Sequence, residues 1–268
     1  MSRKQGVKLN NRDMVKGRDR IREAKGLSHK TPFLAVVIGD SLGMPRQQAG
    51  VNINDTYLYL LQTRWYEKYG QVFVWPLIRG GARLQDLIIE FQGYFLPYIG
   101  HKKIDVCIVH LGIVDCAPRP LPFLMRSGLS QVHPWLRSKM ANFLHQNRER
   151  LSRIGWSFRL TSPNKFNKLY SDFIQLLSLH CGHIYCINMP PALEATYLHS
   201  PGLKDSIVKY NGIINKVASE IDGVKIIDVF SKFQQDPKYY ITPDLHITKE
   251  AHSWIYQQII EYEAIVRD

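Results

Sequence analysis

Ala35-Val36-Val37-Ile38-Gly39-Asp40-Ser41-Leu42 is the stretch that decides how this chain folds. A short apolar run, mostly β-branched, ends abruptly in a small, polar, turn-forming group. Such a run is a buried strand that delivers Ser41 to a loop at its carboxyl end. In open α/β sheets that end is where ligands bind. A serine hydroxyl is a weak nucleophile until a base takes its proton and donors hold the resulting oxyanion. The chemistry therefore calls for a histidine, a group that orients it, and donors at the ends of other strands.

Working outward, further strands are expected at 72–77, 104–111, 183–188 and 224–229, after a first at 33–38. Asn54 or Asp55 can cap a helix that turns Tyr57, Leu58, Leu61 and Trp65 inward and stops at Gly70. Other helices are expected at 83–98, 165–180, 203–220 and 248–264. Strand–helix alternation of this kind predicts an α/β fold, a three-layer, flavodoxin-like parallel sheet of five strands with helices on both faces. The span 116–164 breaks the alternation. Its second half, 135–155, reads as a helix with Trp135, Met140, Phe143, Leu144 and Leu151 on one side. A lid or substrate platform is one reading, and a packing helix with a solvated basic face is the other. The organisation is a basic leader, 1–30, helical over 11–25, then an α/β domain, 31–268, with a basic helical insertion at 116–164.

Gly39-Asp40-Ser41-Leu42-Gly43 also fits the G-x-S-x-G elbow of the α/β-hydrolases. There the serine sits mid-sheet with a tight helix directly after it, whereas Ser41 follows the first strand and Pro45 comes four residues on. The placement instead resembles the GDSL, or SGNH, hydrolase family. Gly81-Ala82-Arg83-Leu84-Gln85-Asp86-Leu87 resembles that family's second block, and Ile104–Asp115, ending Gly112-Ile113-Val114-Asp115, its third. Asp244-Leu245-His246 resembles the last, and Tyr210-Asn211 also looks familiar. The resemblance spans 33–262. It implies Ser41 as nucleophile, His246 as base and Asp244 as orienting carboxylate, with the Ser41 and Gly81 N–H groups as oxyanion hole. It further implies that Ser41 and His246 lie within hydrogen-bond reach or one water apart. Two departures stand out. Val114 occupies the position of the family's asparagine, which removes a side-chain oxyanion donor, a loss that typically costs roughly 100- to 1000-fold in rate. Pro243 stands three residues before the histidine, where the family places its Asp, and Asp244 stands two before. Either Asp244 still orients the imidazole or the site works as a Ser-His dyad.

Arg46, in Met44-Pro45-Arg46, can bind a substrate carboxylate or phosphate, or pair with Asp115 and hold the loop. Arg119 poses the same choice, and Asp115 joins them as a substrate-binding candidate. His110, at a strand end, reads as a core histidine, and His252 as structural. His180 and His183 flank Cys181 but lack a credible fourth zinc ligand. Cys107, Cys116, Cys181 and Cys186 read as buried free thiols.

The net charge of +12 is concentrated. Residues 1–30 hold ten Lys/Arg against three acids, and 119–165 hold nine against one. Two basic segments on a near-neutral body read either as solvated surface or as contact with an anion: an anionic glycan, an acyl donor such as acetyl-CoA, or an anionic membrane surface met peripherally. No nucleic-acid motif accompanies the charge, so nucleic acid is not an expected partner. No metal or other cofactor is expected. The basic N-terminus lacks the apolar stretch of a secretory signal, and a cytoplasmic location is expected. Proteins of this Met-Pro-Arg-containing appearance resemble those of bacterial surface-polysaccharide synthesis. The resemblance implies a serine esterase or O-acyltransferase acting on an acylated glycan or glycan precursor. The alternative is a catalytically weak or inactive relative that binds an anionic glycan.

Overall fold

The computed structural model describes residues 31–119, 133–153 and 157–265. The helix expected over 11–25 lies outside them. In chain order the elements are β1 (Phe33–Gly39), α1 (Tyr57–Tyr69), β2 (Val72–Ile78), α2 (Leu84–Glu90), α3 (Leu96–Ile99), β3 (Ile104–His110), α4 (Ile113–Cys116), α5 (Pro134–Gln146), α6 (Arg148–Arg153), α7 (Pro163–His180), β4 (Cys181–Ile187), α8 (Glu194–His199), α9 (Leu203–Glu220), β5 (Val224–Ile227), α10 (Val229–Gln234), α11 (Pro237–Tyr240) and α12 (Lys249–Ile265).

The five strands form one parallel sheet in the order β2-β1-β3-β4-β5, the flavodoxin-like arrangement expected. Alternation along β1 divides the core in two. Val36 and Ile38 pack with Leu84, Leu87, Phe91, Phe166 and Ile207 on one face of the sheet. Ala35 and Val37 pack with Tyr57, Leu61, Trp65, Ile255 and Ile259 on the other. Both faces are covered, which is why β1 and β3 read as nearly unbroken apolar runs. Among the described residues no helix is long and apolar enough to cross a membrane.

Local chemistry moved several boundaries. Thr56, not Asn54 or Asp55, caps α1, its hydroxyl accepting from the Tyr59 N–H at 3.3 Å, while Asp55 closes the preceding turn onto the Asn52 N–H at 2.8 Å. The helix expected over 83–98 is interrupted by a π-helical turn at Phe91–Phe95. Pro97 has no N–H to give back to the preceding turn, so the α ladder cannot run through unbroken. The helix expected over 135–155 divides at Asn147, whose side-chain amide competes for the Phe143 carbonyl at 2.8 Å. The last strand stops at Ile227 because Asp228 caps α10, accepting from the Ser231 N–H at 3.0 Å.

The register sets the floor of the site. Gly39 pairs with both Ile78 and His110, and His110 with Ile187, so four strands end level at the carboxyl edge. A Cβ on Gly39 would lie 2.8 Å from the His110 carbonyl oxygen, so only glycine lets β1 and β3 approach here. Asp40 follows, fully buried. Its carboxylate accepts from the Leu42 N–H at 3.0 Å and the Gly112 N–H at 3.1 Å. Burial pushes its pKa up to about 7 against the opposing pull of those N–H groups and of Val114. Asp40→Ala leaves buried N–H donors without an acceptor, and each costs about 1–3 kcal/mol. Urea unfolding is therefore expected to show a loss of about 2–4 kcal/mol for Asp40→Ala, with a smaller loss for Asp40→Asn, which keeps one acceptor oxygen.

Candidate active site

Ser41 opens a short 3₁₀ turn, Ser41–Gly43, directly off β1 and is partly exposed. Among the described residues its hydroxyl makes no hydrogen bond, and neither do the backbone N–H groups of Ser41, Gly80 and Gly81. Of the two glycines after β2, Gly80 is the one beside the serine: a Cβ there would lie 4.0 Å from Ser41 Cβ and 3.6 Å from Met44 Sδ. Gly81 has open space around it and a φ of 76°, a left-handed conformation that shapes the turn. Adjacent glycines carry no sequence mark that separates these jobs.

His246 arrives on the loop between α11 and α12, from the far end of the chain. The loop is a tight turn. The Thr242 N–H donates to the His246 carbonyl at 2.7 Å and the Leu245 N–H to the Thr242 carbonyl at 3.0 Å. Leu245 takes a φ of 74°, unusual outside glycine, because the turn around it is fixed from both sides. The Thr242 hydroxyl donates a short bond to Asp244 and accepts from the His246 N–H at 3.0 Å. Thr242 was missed in the sequence, although a threonine four residues before a turn-borne histidine is a recognisable local hydrogen-bonding pattern.

That turn brings Asp244 to the imidazole. Its Oδ2 lies 3.0 Å from His246 Nδ1, so the shift of the acid by one position leaves the carboxylate–histidine contact in place. Asp244 is more exposed than a buried orienting acid, its side chain 55% accessible against 12% for His246. Burial works to raise its pKa, but the Thr242 hydrogen bond and the charges of His246 and Arg46 outweigh it and hold the carboxyl below its ordinary range.

Arg46 lies against the ring. Its Nη2 makes a short contact to His246 Nε2 and lies 3.1 Å from Nδ1, and its Nε lies 3.8 Å from Asp244 Oδ2. The sequence pointed to Asp115 or substrate as the partner of Arg46. The fold instead pairs it with Asp244 and His246, because the Arg46–Val51 bridge turns the loop after the serine toward the His246 turn. No direct Ser41–His246 hydrogen bond forms among the described residues. The guanidinium nitrogen lies against the ring, close to both ring nitrogens, and acts on the imidazole as a neighbouring charge. Burial and the Arg46 charge lower the His246 pKa, and Asp244 only partly opposes them, so the ring is neutral at neutral pH.

Two further candidates fall elsewhere. Asp115 is fully buried. It accepts from the Leu84 N–H at 2.9 Å and from the Thr161 hydroxyl, tying the start of α2 to the segment that returns from the insertion. Burial raises its pKa in spite of those bonds. Arg119 forms a backbone bridge with Phe158, closing the base of the insertion. The Val114 side chain is buried and offers no donor. His110 and His252 are core residues, both held neutral with pKa values pushed down to about 3, chiefly by burial. Tyr57 joins them, its hydroxyl 3.3 Å from His110 Nδ1 and its N–H donating to His252 Nδ1 at 3.3 Å. All four cysteines are buried and free.

The architecture is found in solved structures. A lipase/acylhydrolase from Enterococcus faecalis aligns at a TM-score of 0.57 and 14% identity, over 85% of this chain and 93% of that one. An acetyl xylan esterase, AlAXEase, aligns at 0.54 and 18% identity, over 85% of this chain and 98% of that one. A member of the lipolytic protein G-D-S-L family from Veillonella parvula aligns at 0.52 and 12% identity, over 85% and 96%. The chain has the GDSL, or SGNH, hydrolase fold. No protein-family model matches the sequence, and no curated protein sequence matches it. The SGNH-type sheet edge here thus carries Ser41 after its first strand and His246 before its last helix.

The Arg46 contact has a measurable signature. Removing the cation removes a charge that disfavours imidazolium, so Arg46→Ala is expected to raise the His246 pKa. Asp244→Ala, which removes the opposing carboxylate, is expected to lower it. NMR titration of the ring checks both signs. In the wild-type chain the midpoint is expected below the ordinary 6.5.

Proposed function

We propose that the protein is a serine esterase or O-acyltransferase acting on an acylated glycan or glycan precursor. The observation that carries the reading is the Asp244–His246 pair at 3.0 Å, its imidazole held neutral as a base at the same sheet edge as an unbonded Ser41 hydroxyl. The fold supports it, since solved structures of this shape include an acylhydrolase and acetyl xylan esterases.

The chemistry follows from the groups present. An ester carbonyl sits over Ser41, and its oxygen meets the N–H groups of Ser41 and Gly80. His246 Nε2 takes the Ser41 proton as Oγ bonds the carbonyl carbon. The tetrahedral oxyanion collapses, the leaving alkoxide takes the proton from His246, and an acyl-serine remains. Water or a sugar hydroxyl, deprotonated in turn by His246, then attacks the acyl carbon, and Ser41 Oγ leaves with the proton returned by His246. Arg46 fits an anionic group on the substrate, and such a group would draw the guanidinium off the ring. Val114 leaves the hole with backbone donors alone, which sets the expected turnover well below that of a site with a third donor.

A second reading, a weakly active or inactive protein that binds an anionic glycan, is favoured by the Arg46–His246 contact and by Val114. A serine-directed organophosphonate separates the two, since labelling requires an activated hydroxyl. Labelling of wild type, lost in Ser41→Ala and His246→Ala, is expected. Both variants should lose turnover of an acetylated substrate to a similar extent, because the two residues act as a unit. Asp244→Ala should lose less, given its exposure. Full activity in Ser41→Ala removes the nucleophile assignment, and no labelling of wild type favours the binding protein.

A further inference from the structure

We propose that α5 is an interfacial helix that docks the protein on an anionic lipid bilayer. The helix runs Pro134–Gln146, thirteen residues, about 20 Å, far too short to span a membrane but long enough to lie on one. At 100° per residue Trp135, Leu136, Met140 and Phe143 fall within one arc of about 140°. All four face solvent, with exposures of 61%, 43%, 37% and 60%. An apolar stripe of this size left in water marks a contact surface rather than a packed one. Ser138 and Asn142, also exposed, lie outside the stripe. Lys139 falls inside the arc, and its Nζ sits 4.1 Å from the Trp135 ring centroid. Such a cation–π pair suits the headgroup layer, where an aromatic ring and a long side chain with a charged tip both place an apolar body below and a polar end above.

Charge selects the occupant. Segment 119–165 carries nine Lys/Arg and a single acid, Glu149. A second copy of the chain would bring another +12 against that field and be repelled. A nucleic acid matches the charge but gives the aliphatic Leu136 and Met140 nothing to bury against. An anionic bilayer surface satisfies both requirements, accepting apolar side chains below the headgroups and cations among them.

The helix is tied to the carboxyl edge of the sheet. Directly after it, α6 packs against α8, and Thr196 of α8 donates to the Pro243 carbonyl in the His246 loop at 3.2 Å. Docking stands without the ester chemistry. Only the added consequence, that the ester reached is one carried at a bilayer surface, rests on the function proposed above.

Co-sedimentation of the full chain with vesicles tests the docking directly. The chain is expected to bind vesicles of phosphatidylcholine mixed with phosphatidylglycerol and to bind pure phosphatidylcholine far more weakly. Trp135→Ser with Phe143→Ser should weaken binding about 10-fold or more, since two large apolar side chains no longer insert. A thermal melt matching wild type shows that the variant folds. Tryptophan quenching by brominated lipid should disappear in Trp135→Phe. Reversal of leader charges (Arg18→Glu, Arg20→Glu, Arg22→Glu) should weaken binding less than the aromatic pair does. Absence of vesicle binding overturns the proposal. So does binding that survives loss of both aromatics and vanishes with the leader charges, which is simple polycation adsorption. Self-association abolished by the aromatic substitutions also overturns it, since the stripe is then covered by a second copy. Activity is not read in any arm, so failure here leaves the esterase reading standing, and failure of that reading leaves this one.

Discussion

A buried carboxylate at the end of the first strand is the constraint on which the site depends. Asp40 is shut off from solvent, so its oxygens must be met by backbone N–H groups, and those come from Leu42 on its own loop and Gly112 beyond β3. One side chain thereby fixes the distance between two strand-end loops. Gly39 lets the strands come close enough, and Gly112, with a φ of 126°, presents its N–H. Asp115 repeats the device one turn later, holding the start of α2 and the return of the insertion. The cost of burying two acids shows in their raised pKa values, and the fold bears it because each acid orders several loops at once.

With that floor fixed, the histidine is delivered from the opposite end of the chain. The Thr242–Leu245 turn holds Asp244 against His246 whatever the neighbouring loops do, because its hydrogen bonds are all local. Arg46 is different. It spans 200 residues of sequence to reach the ring, and it places its charge beside both ring nitrogens. With burial, that charge lowers the His246 pKa against the pull of Asp244.

The motif order explains how much could be read in advance. The Gly39–Leu42 run, the strand–helix alternation and the last block each depend on residues close in sequence, so the sheet, its strand order and the Ser41 and His246 positions were legible. The caps and breaks were legible only in part. Thr56 and Asn147 act through side-chain bonds one turn away, and propensity alone does not choose between them and their neighbours. The roles of Gly80 and Gly81 were not separable, because the difference between them is which one lies against Ser41.

By itself, then, the sequence determined the layered parallel sheet, the two-sided core and the presence of a serine and a histidine at loop positions, since hydrophobic period and turn chemistry are local properties. Tertiary structure decided the partners of the charges. Asp115 became an internal brace and Arg46 a neighbour of the imidazole because burial and approach across strand ends, which no local pattern encodes, set what each charge must satisfy. The same holds for α5. Its stripe of apolar residues was visible as a helix face, and only the packed molecule showed that the face looks outward.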